Sequence, residues 1–439
     1  MARWWIMKYQ LNRLCRVVFL SVFLWTPLQS SHNSSRYFPF LERIQNASEH
    51  QYSHVDLSLF YTTAPTAIRR GGGTTGIQEL WGKYDLKDVI SSLQAVQGSL
   101  LTPIEDVTGT TDLVGKSLRF DVNNKVRSHG LTLQYEQKIS SHGLFVGAWL
   151  PVMRVLVSSR YIFNRKASSD EIANSTLSAQ LQQAQDLQID KIRRNVHEEL
   201  GFKNNYWDKT GFGDLDLYLK WSHYLDHKLL MKSITVSATG GITLPTGALS
   251  DKNNPISVSF MGNGHCGLYL DIMPEFELKQ DWKVGILFGA TYQFKNSRTL
   301  RLSVDAEPTV FSALTGRVEI NPGGTLKFSP FLTIENIGDG WHFQVRYTYL
   351  RHAKDTWRDI RFDKTIQSYL QKDFNTIKEK EELSLWRSHY VSFQLLYDSV
   401  SAMKKYCMKP AFYLTYDMPL NGNGMAQTHQ LSLGAKLHF

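Results

Sequence analysis

The sequence predicts an all-β fold: a transmembrane antiparallel β-barrel of about 12 strands, with long loops that carry amphipathic helices. Three observations carry this expectation. Segments of strict two-residue alternation recur along the chain, the last of them ends on Phe439, and short and long connections take turns between them.

Composition leaves room for such a barrel and narrows the alternatives. The chain has 439 residues, 20% of them charged and 12% aromatic. Its mean hydropathy of −0.29 excludes a polytopic helical membrane protein. It does not exclude a barrel, whose lipid-facing and lumen-facing residues cancel in any running average. No stretch after residue 30 approaches the roughly 18 unbroken apolar residues of a spanning helix. The net charge of +9 is spread among acids and bases. Without a dense basic tract, nucleic acid is not an expected partner.

The termini agree with each other. Arg3, Lys8, Arg13 and Arg16 precede the apolar run Val17–Trp25, which Thr26–Ser31 follow. That order describes a secretory signal peptide over residues 1–30, its apolar core too short to span a bilayer. Cys15 lies before that core, so lipid attachment there is not expected. Only Cys266 and Cys407 remain afterwards, and the strand order below puts them at opposite ends of the barrel, unpaired. At the C-terminus Leu431, Leu433, Ala435, Leu437 and Phe439 share one face, opposite Gln430, Ser432, Gly434, Lys436 and His438. Ten alternating residues make one tilted transmembrane strand. Bacterial outer-membrane barrels resemble this, ending in a Phe strand that the barrel-assembly machinery reads. The resemblance implies that Leu433, Leu437 and Phe439 form the assembly signal, in the outer membrane of a Gram-negative bacterium.

Eleven earlier segments repeat the pattern: Val55–Tyr61, Leu131–Tyr135, Leu144–Leu150, Leu215–Trp221, Ile234–Leu244, Leu268–Phe276, Val284–Tyr292, Leu326–Ile334, Phe343–Tyr349, Val391–Tyr397 and Phe412–Met418. Short links fall at 140–143, 225–228, 280–282, 338–340 and 399–405. Longer ones fall at 64–127, 158–210, 245–265, 296–325 and 352–385, with a short exception at 421–424. Short periplasmic turns and long extracellular loops produce this alternation, with both termini periplasmic. Residues 31–439 then form one barrel with helical insertions near 64–127, 158–210 and 352–385. A further strand at Lys116–Val122 would raise the count to 14. Helical spacing marks Leu177–Leu200, Ile360–Leu383 and Tyr84–Val96. These helices either pack at the barrel rim or fold inward and plug the lumen.

Charged residues at inward positions are the candidate lumen lining: Asp214, Asp216, Lys220, Glu275, Glu277, Lys279 and Arg346. Any barrel interior is polar, so these groups serve either a solute path or each other.

The stretch Gly211-Phe212-Gly213-Asp214-Leu215, then Gly241–Gly247 and Gly262-Asn263-Gly264, resembles the outer-membrane family associated with meta-pathway phenol degradation, itself similar to long-chain fatty-acid transporters. The resemblance covers about residues 207–300. It implies passage of small, hydrophobic molecules across the outer membrane, while the long helical loops and the segment 64–127 depart from the pattern.

Catalytic signatures are missing from the sequence: no phosphate loop, no His-Glu-x-x-His and no zinc-spaced cysteines. Gly71-Gly72-Gly73 reads as a turn. No catalytic residue, metal or cofactor is expected. Two functional readings follow: a channel or transporter for small-molecule solutes, or a surface-exposed structural or adhesive barrel with a closed lumen. In both, lipid and lipopolysaccharide are the surroundings.

Overall fold

The computed structural model describes residues 35–41, 53–97, 116–173, 179–202, 205–226, 231–301, 309–312, 315–360, 374–399 and 409–439. The signal-peptide expectation and Cys407 lie outside these residues. Cys266 carries a free thiol.

Twelve strands form the barrel: β1 (His54–Ala64), β2 (Arg119–Ser140), β3 (Leu144–Phe163), β4 (Leu215–Asp226), β5 (Ser233–Leu244), β6 (Gly267–Lys279), β7 (Trp282–Gln293), β8 (Thr325–Gly338), β9 (Trp341–His352), β10 (Trp386–Asp398), β11 (Lys409–Asn423) and β12 (His429–His438). Each is antiparallel to the next in sequence. β1 pairs with β12 from His54–His438 to Thr63–His429 and closes the ring. Closure matters because a bilayer offers no water to an open edge, so every backbone group must find a partner in the sheet.

The side chains sort as the two-residue period requires. In β1, Asp56, Ser58, Phe60 and Thr62 are buried while Leu57, Leu59 and Tyr61 stand exposed on the outer wall. In β12, Gln430, Ser432 and Lys436 face in and Leu431, Leu433 and Leu437 face out. Trp221, Trp282, Trp341 and Phe412 are exposed towards the short-turn end of the wall, and Tyr61, Tyr292 and Tyr416 towards the loop end. Two aromatic girdles around an aliphatic band are the form of a surface that faces lipid.

Residues 119–122 do not add a barrel strand. They begin β2, which runs unbroken for 22 residues and pairs with the 20 residues of β3. A transmembrane strand needs about 9–11 residues, so roughly half of this hairpin rises beyond the membrane on the loop side. There Tyr206–Phe212 pairs with Val152–Ser158 of β3.

Among the described residues, three helices longer than two turns lie in the loops: α1 (Leu86–Gln97), α2 (Ala179–Glu199) and α3 (Phe374–Ser384). The part of the helical spacing at 361–373 falls outside the described residues. α2 buries Ile189, Ile192 and Val196 against Tyr84, Leu86, Phe120, Val122 and Phe311, so it packs on the projecting hairpin. The lumen holds a different segment. All of Ser35–Leu41 is buried, with Tyr37, Phe38 and Leu41 packed among Phe60, Trp149 and Met153 from the barrel wall. Helical periodicity could not reveal this occupant, which is neither helix nor strand.

Candidate functional site

Inside the wall, polar side chains satisfy one another. Lys220 lies 3.0 Å from Glu136, which also accepts a hydrogen bond from Tyr218 at 3.2 Å. Gln134 donates to the Tyr218 oxygen at 3.0 Å. Tyr413 donates to Asp56 at 2.8 Å, with Lys436 at 3.8 Å from the same carboxylate. Lys283 sits 2.7 Å from Glu335 and 3.8 Å from Glu275. The rings lie flat along the wall because each covers a glycine paired with it on the neighbouring strand: Tyr218 over Gly147 and Tyr413 over Gly434. The same pairing sets Tyr269 over Gly241 and Phe331 over Gly285.

The sequence-chosen lining residues divide by position. Asp216, Lys220 and Glu275 are buried on inward positions, and Asp216 accepts from Thr243 at 2.6 Å. Arg346 lines a mid-barrel cavity and lies over the Phe331 ring. Glu277 sits near the short-turn end, bonded to Ser233 and Lys232. Lys279 is exposed at the last position of β6. Asp214 precedes β4 at the loop end. Its two oxygens accept from the amides of Gly247 at 2.9 Å and Gly262 at 2.7 Å. The three Gly-containing motifs of the sequence therefore meet at one carboxylate, and a Cβ at Gly247 or Gly262 would press on it.

Two cavities lie on either side of the segment 35–41. The inner one, about 80 Å³, is lined by Phe40, Leu41, Asp56, Arg346, Gln394 and Asp417. The outer one, about 170 Å³, is lined by Tyr37 and Trp81 and by loop residues that include Val258, Arg298, Leu300, Ile320 and Trp357. The segment is pinned between them. Arg36 donates to the carbonyls of Leu383 and Ser384 at 2.7 and 3.1 Å, and its guanidinium lies 4.2 Å over Trp81. Trp81 donates to the Tyr37 hydroxyl at 2.8 Å, and Thr428 to the Tyr37 carbonyl at 2.8 Å. Phe40 meets Tyr390 edge-on, ring centres 4.3 Å apart.

The outer cavity is covered by a small antiparallel sheet of Asn296–Arg301, Thr315–Asn321 and Thr356–Asp359. Arg298 pairs with Val318, and Ile320 with Trp357. Opposed residues, and those two apart, share a face, which places Arg298, Leu300, Ile320 and Trp357 together. Arg298 donates to the Asn263 side chain at 2.7 Å, but its Nε–H has no partner. Burial pushes its guanidinium pKa down to about 10. Arg301 is also lowered to about 10 by burial, and it donates to the carbonyls of Lys252, Ser312 and Leu200. Burial alone would raise Asp355, but the His352 ring at 2.9 Å, the Gly323 amide and Arg36 outweigh it and hold the carboxyl low.

Among solved structures, the chain is similar to an outer membrane channel from Pseudomonas putida F1, at 11% identity and TM-score 0.47, covering 91% of this chain and 99% of that one. The chain is a closed β-barrel with a lipid-facing outer wall. A FadL homologue from Pseudomonas aeruginosa matches the barrel at 9% identity and TM-score 0.31, over 94% and 98% of the two chains. A deletion mutant of the monoaromatic hydrocarbon channel TodX matches at 9% identity and TM-score 0.34, over 88% and 90%. No protein-family model matches the sequence, and no curated protein is similar to it in sequence. The likeness to the solved structures is one of fold.

Proposed function

We propose that this barrel passes small molecules across the outer membrane, from the loop cavity to the periplasm, with Ser35–Leu41 as its gate. The observation that carries the reading is that the segment contributes to the lining of two cavities inside a closed barrel. Tyr37 lines the outer cavity while Phe40 and Leu41 line the inner one, so a solute going from one to the other must displace these residues. The segment is held by hydrogen bonds, ring contacts and apolar packing rather than by strand pairing with the wall. A short buried segment on contacts of this kind opens at lower cost than a strand leaves a sheet. Beyond the gate, Asp216, Lys220, Glu275 and Arg346 line or buttress the polar path, and the reading assigns them no catalytic step.

The test is single-channel conductance in planar bilayers, comparing the refolded mature chain with one lacking residues 35–41. The full chain should conduct in rare, brief steps, and the deletion should give steady open steps. Closed behaviour in both, with a folded and heat-modifiable barrel, would turn the reading to the alternative of a surface protein with a closed lumen.

A further inference from the structure

We propose that the outer cavity is a binding site for a small aromatic carboxylate, held by the Nε–H of Arg298 and the indole N–H of Trp357. The biological purpose of such a site rests on the transport reading above, but its geometry does not.

Two unsatisfied donors belong to residues that line one small space. The Arg298 Nε–H and the Trp357 Nε1–H are buried, and neither has a hydrogen-bond partner. A buried donor left unmade forfeits its hydration without recovering a bond, and the loss is larger for a charged group. Among the described residues no carboxylate lies within ion-pair distance of Arg298; the nearby Asp355 is engaged by His352 and Gly323. The Gln78 side-chain amide nitrogen, on the same lining, is also unpartnered. Every one of these groups donates, so the missing component is an acceptor, and the guanidinium favours a negative one.

The spacing suits one carboxylate. Arg298 and Trp357 sit on the two outer strands of the cover sheet, offset by two residues about the central strand. Strand spacing and rise put their Cα atoms roughly 12 Å apart on the same face. Two long side chains on one face across a gap of that width leave room for a small planar group. The apolar remainder of the cavity sets the ligand's body. Leu300 and Ile320 share the sheet face with the donors, and Val258, Pro255 and Trp81 stand on the lining with them. Trp81 already lies under a guanidinium and beside Tyr37, so an aromatic ring finds further rings to pack on. At about 170 Å³ the cavity has room for on the order of ten water molecules, enough for one ring with a short acidic arm and too little for a long acyl chain.

The experiment is isothermal titration calorimetry on the detergent-refolded mature barrel with benzoate, benzyl alcohol and acetate. Benzoate should bind at least about tenfold more tightly than either of the others, because benzyl alcohol lacks the charge and acetate lacks the ring. Arg298→Gln should weaken benzoate about tenfold, and Trp357→Phe, which keeps the apolar wall, by several-fold. Neither change should alter benzyl alcohol binding. Lys295→Gln, at an exposed cation paired with Glu319 outside the cavity, serves as the control and should change nothing. Equal binding of benzoate and benzyl alcohol, or unchanged benzoate affinity in both variants, overturns the proposal. Conductance of the 35–41 deletion is read in parallel. Open steps without benzoate preference sink this site and leave the channel reading standing. Benzoate binding to a barrel that never conducts does the reverse.

Discussion

At the scale of single residues, the lumen is shaped by what its glycines omit. Gly434 pairs directly with Tyr413, and a Cβ there would stand inside contact distance of the ring. The ring therefore lies flat along the wall and its hydroxyl reaches Asp56 at 2.8 Å. Gly434→Val should push the ring off this site, overpacking the wall and breaking a bond to a buried carboxylate. The combined cost is about 3 kcal/mol, read as a lower urea midpoint for the barrel refolded in lipid vesicles. Adding Tyr413→Leu makes space for the valine and should recover part of the loss. A midpoint unchanged by Gly434→Val would show that the ring does not depend on the missing side chain. Alternation marked Gly434 as inward, yet nothing in the sequence distinguishes a glycine that seats a ring from one that bends a strand. That distinction depends on the residue opposite, and so on register. Asp214 illustrates the same limit. Its polarity and place beside β4 suggested the lumen, whereas its oxygens accept from Gly247 and Gly262 of the loops.

At the scale of elements, the strands were legible and the lumen's occupant was not. A strand in a barrel wall has one face in lipid and one in a polar interior, so period two is imposed on it directly. All twelve predicted segments coincide with barrel strands, the last of them overrunning its strand only by Phe439. The helical spacing of 177–200 likewise located α2, because one of its faces is buried on the β2–β3 hairpin. Ser35–Leu41 is buried on every side and has no period to show. α2 also carries a titratable lock. The His197 Nε2 is 2.8 Å from the Tyr84 hydroxyl, and Arg193 approaches Nδ1 at 3.4 Å. Since Arg193 can only donate, the ring is neutral, with its proton on Nε2 donated to Tyr84. Burial, with Arg193 adding to it, lowers the His197 pKa from 6.5 to about 3. The unfolded loop therefore binds more protons than the docked one between those values. Docking is at full strength above about pH 6.5 and weakens steadily as pH falls towards 3. Hydrogen exchange across α2 should accelerate from pH 7 to pH 4.5 relative to its intrinsic rate, and His197→Phe should remove that acceleration. A pH response surviving in His197→Phe would assign it to another group.

At the scale of the whole molecule, the barrel and the crown of loops above it are two structures with different dependencies. The barrel closes through neighbouring strands alone, and the pairing of β3 with β4 uses Leu144–Trp149, near the short-turn end. The crown relies on contacts between loops distant in sequence. Arg301 donates to the Leu200 carbonyl at 2.8 Å and lies 4.4 Å over the Phe202 ring, which ties the cover sheet of the outer cavity to the end of α2. Phe311, beside that sheet, is buried in the same cluster as Tyr84 and Ile189. Replacing residues 164–204 with a short Gly-Ser linker should thus leave the wall intact, since Ser158 and Tyr206 are already paired partners at the base of the excision. The shortened chain should keep its heat-modifiable gel shift. Its outer cavity should lose order, because the cover sheet loses the carbonyl and ring that hold Arg301, and benzoate affinity should fall several-fold with no substitution in the cavity itself. Loss of the gel shift would mean that the crown is needed to close the barrel. Full benzoate affinity in the shortened chain would mean that the cover sheet holds its place without α2.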